Sequence, residues 1–448
     1  MRRFKSWLTS GAALVGLALM SGQARLVHAA PPDAVEAFRL ELRANPGDSS
    51  DWEARLRRRA AELVSLKEVR EALQLAEWRT MPGDSRLQTV ENRLRVELIT
   101  RLVEGYRQTL KSSDSKSAVM LLERLDEVTR GQHANLSILE ACGALLPDLE
   151  RQIRQGEPEA RESGLRVIGR LPNHQDKVLS VLKELASPNQ PANTRFLAAE
   201  ALESQVRLKT RAGDKPHSMY EPMGNFAQSV TPVLRLVCAD SQPRVRRLGM
   251  TSAYLLGMGL NTSLGEPIIA PAGSNPREYR DQSPVVADQR TMLAALRDLM
   301  ATASAGLRDS DAGVRVQAQR FFDEVARARQ TWLSQAGNSG EDPLREGLKA
   351  CLTTLIEALR DPDARVRRAS VDVLEGMGPD AAPAAPALVE ALGDSDHFVR
   401  WASVRCLSVM GNDVSRAALP RLRSLSNDPD TDVRDAAEAA VKRLETRR

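Results

Sequence analysis

Catalysis needs side chains that titrate, ligate or attack, at spacings that let them converge, and this 448-residue chain offers few. Beyond residue 29 its histidines are His133, His174, His217 and His397, in no metal-ligand spacing. H-E-x-x-H, a P-loop, G-x-S-x-G and G-x-G-x-x-G are absent. Two S-x-x-K matches, Ser113 to Lys116 and Ser180 to Lys183, lack companion motifs, and so loose a pattern recurs by chance. Cys142, Cys238, Cys351 and Cys406 fit no zinc, haem or redox spacing. Each lies within an apolar helical pattern, and a disulfide would need α-carbons within about 7 Å. They read as small buried hydrophobes. The expectation is neither metal nor cofactor, and no enzyme.

The N-terminus belongs to targeting. Arg2, Arg3 and Lys5 precede a short apolar run, Gly11 to Met20, and Val27-His28-Ala29 offers a cleavage site after Ala29. The run is well short of the roughly 20 residues that span a bilayer, so residues 1–29 are expected to be a cleaved signal peptide. The product would be periplasmic or extracellular, with no membrane span. Those residues hold Arg2, Arg3, Lys5 and Arg25 and no acid, which accounts for the whole net charge of +4. A neutral remainder has no net drive towards nucleic acid or anionic lipid.

What positions the rest is a repeat. Asp361-Pro362-Asp363-Ala364-Arg365-Val366-Arg367, Asp394-Ser395-Asp396-His397-Phe398-Val399-Arg400 and Asp428-Pro429-Asp430-Thr431-Asp432-Val433-Arg434 align, their Val-Arg pairs 33 and 34 residues apart. Behind them apolar residues recur at offsets 0, 3, 7, 8 and 11, as in Val366, Ala369, Val373, Leu374 and Met377, tracing one helix face. A second apolar pattern precedes, clearest in Leu348, Cys351, Leu352, Leu355, Ile356 and Leu359. The aspartates between supply a turn and an N-cap, and Gly378-Pro379 and Gly411-Asn412 stop the second helix. Such a hairpin cannot bury its apolar face alone, and stacking at a fixed period does it.

Two helices joined by D-x-D-x-x-V-R and closed by glycine resemble short HEAT repeats of the phycobilisome-lyase type. The resemblance covers about residues 140–448, with looser copies at Asp309 to Arg315 and Asp240 to Arg246, and weaker ones at Thr194-Arg195 and Ala160-Arg161. It implies an all-α, right-handed α-solenoid of HEAT-type helix pairs. Residues 30–139 lack the Val-Arg signature but show helical patterns at Ala34 to Asn45, Ser50 to Leu66 and Glu91 to Leu110, broken by Pro-Gly pairs. They read as an N-terminal helical cap or divergent repeat. In the family, arginines such as Arg161, Arg195, Arg246, Arg315, Arg367, Arg400 and Arg434 pair with aspartates of adjacent repeats, a role open to Asp309, Asp361, Asp394 and Asp428. The rival reading is a basic stripe on the concave face, and the acids beside these arginines weigh against it. The His-Glu pairs of HEAT-repeat metal hydroxylases are missing.

Between repeats the spacing stretches to 51, 69 and 52 residues, from Arg195 to Arg246 to Arg315 to Arg367. The surplus places loops at about 208–229, 261–287 and 334–345, all on one edge. The first carries His217, Met219, Tyr220, Met223 and Phe226, the second Ile268, Ile269 and Tyr279. Exposed, these side chains suit a protein interface; folded back, they cover the solenoid's own edge. The third, polar with two glycines, reads as plain linker. The expected function is an extracytoplasmic scaffold or adaptor holding one or more proteins. The alternative is a lyase- or hydrolase-like enzyme between the loops and the groove, with Tyr220, His217 and Tyr279 as its groups. Nucleic-acid binding ranks third, against neutrality and export.

Overall fold

The computed structural model describes residues 145–171, 175–210, 222–265, 283–336, 341–410 and 416–446, with Ala54, Arg55, Arg58, Val103, Glu104, Arg107, Gln108 and Gly143. The chain forms two compact units, Met1–Arg101 and Leu102–Arg448. Ala54, Arg55 and Arg58 of the first are helical, as are Val103, Glu104, Arg107 and Gln108 of the second. The signal-peptide segment and the Ala34 to Asn45 helix lie outside the described residues.

The second unit is a stack of helix hairpins with no strand among the described residues. Its helices are α1 (Leu146–Gln155), α2 (Pro158–Ile168), α3 (Gln175–Leu185), α4 (Ala192–Thr210), α5 (Gly224–Cys238), α6 (Pro243–Leu264) and α7 (Pro284–Leu307). Then come α8 (Ala312–Ala336), α9 (Arg345–Ala358), α10 (Ala364–Met377), α11 (Ala385–Ala391), α12 (His397–Leu407), α13 (Leu419–Ser424) and α14 (Thr431–Thr446). Odd and even helices form two layers. In the second layer α2, α4, α6, α8, α10, α12 and α14 each pack on the next, while α3, α5, α7 and α9 do so in the first. This is an all-helical, HEAT-like solenoid.

The core between the layers is where the apolar offsets put it. Val366, Val373, Leu374 and Met377 are buried, as are Val399, Ala402, Cys406, Leu407 and Met410. Caps fix where second helices begin. Asp363 accepts from the Arg365 N–H, Asp396 from Phe398 and Val399, Asp311 from Val314 and Asp430 from Val433. Gly378 ends α10 at φ 60°, a conformation only glycine adopts without strain. Gly411 lies outside the described residues. Cys351 and Cys406 are buried and Cys238 half-buried, all three free thiols. Burial pushes the Cys238 thiol up to about 12.

The three stretched connections are narrower than their expected bounds. Residues 208–210, 261–264 and 334–336 are the last turns of α4, α6 and α8, while 224–229 and 284–287 open α5 and α7. Surplus sequence went into helix. The 22, 24 and 25 residues of α6, α7 and α8 exceed the 14 of α9 and α10. The elongated ends hold one another, Asn261 Nδ2 donating to Glu324 Oε2 at 2.7 Å and Gln335 Nε2 to the Leu264 carbonyl at 2.7 Å.

Candidate functional site

The aspartate–arginine ladder is built from the hairpin turn outwards. Each arginine donates Nη1 to carbonyls of its own turn, Arg367 to Asp361 and Arg400 to Asp394 at 2.8 and 2.9 Å. Its Nε and Nη2 grip the aspartate of the next turn. Arg195 pairs with Asp240 at 2.6 Å, Arg246 with Asp309 at 2.6 Å and Arg315 with Asp361 at 2.7 Å. Arg367 pairs with Asp394 and Arg400 with Asp428, both at 2.7 Å. Each aspartate also accepts the N–H two residues on, from Gln242, Asp311, Asp363, Asp396 and Asp430. Burial pushes the Asp309 and Asp394 carboxyls up, but their guanidinium partners and these N–H groups prevail and hold both below the ordinary range. For Asp428 the Arg400 hydrogen bond is the largest influence and lowers it.

These five arginines are spent on structure, so they form no basic stripe. Asp240, which is not among the four aspartates expected to pair, stands at the same offset as they do, six residues before Arg246. Arg161 makes no such pair among the described residues. Its Nη2 reaches only the Gly156 carbonyl at 3.3 Å, and its Nε is buried without a partner. Arg434 bonds its own turn at the Asp428 and Pro429 carbonyls and Thr431 Oγ1, at 2.6, 3.1 and 2.9 Å.

The expected loop site divides. His217, Met219, Tyr220, Ile268, Ile269 and Tyr279 lie outside the described residues. Met223 and Phe226 do not stand on an exposed loop: both are buried, Phe226 inside α5 with Val230, Val233, Leu234 and Val237. Their helical spacing continues the core pattern, and burying an aromatic ring outweighs exposing it. Asp288 fixes this start by accepting the Met223 and Gly224 N–H groups at 3.0 and 2.9 Å. The described residues on either side of the third connection are tied down. Trp332 Nε1 donates to the Glu341 carbonyl at 3.0 Å, Arg329 pairs with Asp342 at 2.7 Å, and Leu344 is fully buried. The shared edge itself is present. A Cβ on Gly259 of α6 would collide with Thr210 at the end of α4, and Gln335 of α8 bonds Leu264 of α6. The ends of α4, α6 and α8 therefore lie together.

A surface unseen in the sequence runs across the second-helix layer. At three junctions the fifth residue after one ladder arginine faces the eighth after the previous one. Arg320 thus covers Tyr254 at 5.7 Å, and Arg405 bonds Glu375 at 2.6 Å. Arg244 lies over Phe196 at 4.4 Å and Arg368 over Phe398 at 4.8 Å, again across a junction. Phe398 is 44% exposed, Met258 39%, and Trp401 is half-buried under Arg405 at 4.4 Å. At the third of these junctions two acids face each other, Asp372 at the fifth position and Asp323 at the eighth. Burial, then the Asp372 charge, push the Asp323 carboxyl up to about 7 against the hydrogen bond from Gln319. Burial raises Asp372 too, against Arg368 and Arg405. A cavity of about 420 Å³ between α2 and α4 is walled by Arg166, Arg170, Glu200 and Arg207. Arg166 and Arg207 are paired there with Glu162 and Glu203.

The HEAT repeats family model matches residues 352–442. Solved structures similar to the chain include an engineered protein, 15% identical, covering 92% of this chain and 99% of that one, TM-score 0.43. An importin beta structure is 15% identical over 92% of this chain and 48% of its own, TM-score 0.47. An archaeal HEAT-like repeats protein from Thermococcus onnurineus is 11% identical over 67% and 96%, TM-score 0.39. No curated protein matches. Residues 352–442 match HEAT repeats, and the ladder they carry recurs back to Arg195.

Proposed function

We propose that the protein is an extracytoplasmic scaffold that holds a partner protein against its second-helix layer. One observation carries the reading: part-exposed aromatic and methionine side chains stand on two second helices, Tyr254 and Met258 on α6 and Phe398 and Trp401 on α12, with arginines over the three rings. Rigid rings with guanidinium neighbours are what protein interfaces enrich. HEAT repeats commonly bind proteins, and among the described residues no helix is long and apolar enough to cross a membrane. Export rests on residues 1–29, whose basic start and short apolar run fit a cleaved signal. The edge where α4, α6 and α8 end is the second candidate surface.

The test compares the full chain with the double variant Phe398→Ala, Trp401→Ala in affinity capture from an envelope fraction. Both must share the same helical circular dichroism and melting temperature. A partner held by the parent and lost at least tenfold by the variant supports the reading. Equal capture by both removes the Phe398 and Trp401 pair as the site. Absence from the envelope, or an intact N-terminus in place of one starting at Ala30, ends the export reading.

A further inference from the structure

Consecutive second helices meet at six junctions among the described residues, and five carry an arginine–aspartate pair. The junction of α2 with α4 carries none. Six residues before Arg246, Arg315, Arg367, Arg400 and Arg434 stands an aspartate each time, but six before Arg195 stands Asn189, which is exposed. The Arg161 guanidinium that should reach it has a buried, unpartnered Nε instead. A buried N–H without an acceptor destabilises the state that buries it, and the exposed Arg154–Glu184 pair between α1 and α3 offsets little of this, so the closed arrangement of this junction is under-stabilised at that end.

The other end of α2 is held differently. Gln205 of α4, 1% exposed, donates Nε2 to the carbonyls of Ile168 and Leu171 at 3.2 and 2.9 Å, two bonds made although its Oε1 is buried without a partner. Beside it Gly169 lies so close to Ala201 that a Cβ would meet backbone. One end of α2 is thus pinned by two hydrogen bonds and a tight backbone contact, and the other lacks the bond that every later junction has. We infer that this junction is a built-in hinge: α2 pivots about Gly169 and Gln205, its Arg161 end swings away from α4, and among the described residues the α1–α2 hairpin opens before any later one. Opening lets water reach the Arg161 Nε, relieving the penalty of the closed state.

Asn189→Asp tests this with a near-isosteric change, because it places the missing carboxylate where the other five stand. Hydrogen exchange of the full chain is read by mass spectrometry at Glu162–Leu165 and at the matched Arg368–Val371. In the parent the first set exchanges at least tenfold faster than the second. Asn189→Asp slows the first set roughly tenfold, as a new charge-assisted pair should, and leaves the second unchanged. Asn189→Ala, which removes a side chain in no use, leaves both unchanged. Asp394→Asn opens a working junction and speeds the second set. The inference is overturned if Glu162–Leu165 in the parent exchange as slowly as Arg368–Val371. It also falls if folded Asn189→Asp shows no slowing, or if Asn189→Ala accelerates exchange.

Discussion

The helices of residues 243–336 are far longer than those of 345–446, yet one pairing joins both regions. In the middle, α6 and α8 have 22 and 25 residues; at the end, α10 and α12 have 14 and 11. Arg246 grips Asp309 in the first region as Arg367 grips Asp394 in the second, at 2.6 and 2.7 Å. Register between hairpins is set at the turn by charge geometry that extra helix length leaves untouched. The added turns all emerge at the opposite end, where they need bonds of their own. Asn261 to Glu324, Gln335 to Leu264 and Trp332 to Glu341 supply them.

The sharpest way to break the comparison is Trp332→Ala. The side chain is buried at 2% exposure and anchors the turn after α8, so truncation is expected to cost about 3–5 kcal/mol. Denaturant unfolding checks it, and a cost below about 1 kcal/mol would mean the elongated ends carry no stability. Next come Asp309→Ala and Asp394→Ala, each of which strands a largely buried guanidinium at a cost of about 2–3 kcal/mol. Equal losses in the long and the short region support a common register device; a difference above about 1.5 kcal/mol, beyond ordinary variation in context, would separate the two.

The pH profile distinguishes the regions more finely. Asp323 has a folded pKa of about 7, above an unfolded value near 3.9. Its contribution is therefore fully present below about pH 4 and lost as pH rises through 7. Asp323→Asn should gain about 1–2 kcal/mol over the parent at pH 8 and nothing at pH 4. The ladder carboxylates run the other way. Asp309, Asp394 and Asp428 are held low, so their contribution is present above about pH 4 and lost on acidification through their depressed values. Urea midpoints across pH 3–8 measure both arms, and equal pH dependence of Asp323→Asn and parent would refute the first. The smallest effect belongs to Arg360→Ala. Its pair with Glu390 has both side chains 64% exposed, and no measurable change in midpoint is expected.

Much of the ladder was legible because its residues are local: an arginine and an aspartate recur at a fixed offset around each turn, and the spacing alone aligns them. The second-helix surface was less so. Tyr254 meets Arg320 and Asp323 meets Asp372 only once the hairpin register fixes which residues of successive helices face each other. The same offsets counted from each ladder arginine would have found them. Met223 and Phe226 misled because their residue types suit an interface as well as a core, and types alone do not distinguish the two.

By itself the sequence determined what depends on short-range order: helix periodicity, N-caps at Asp363 and Asp396, the stop at Gly378 and the hairpin repeat from about residue 140. These follow from backbone hydrogen bonding and side-chain spacing within a dozen residues, and each is encoded where it acts. Tertiary structure alone decided how surplus sequence was divided between helix and connection, which arginines were spent in pairs, and which junction was left without one. Those outcomes depend on contacts between residues 27 to 71 positions apart. Only the stacked hairpins bring such residues within hydrogen-bonding distance.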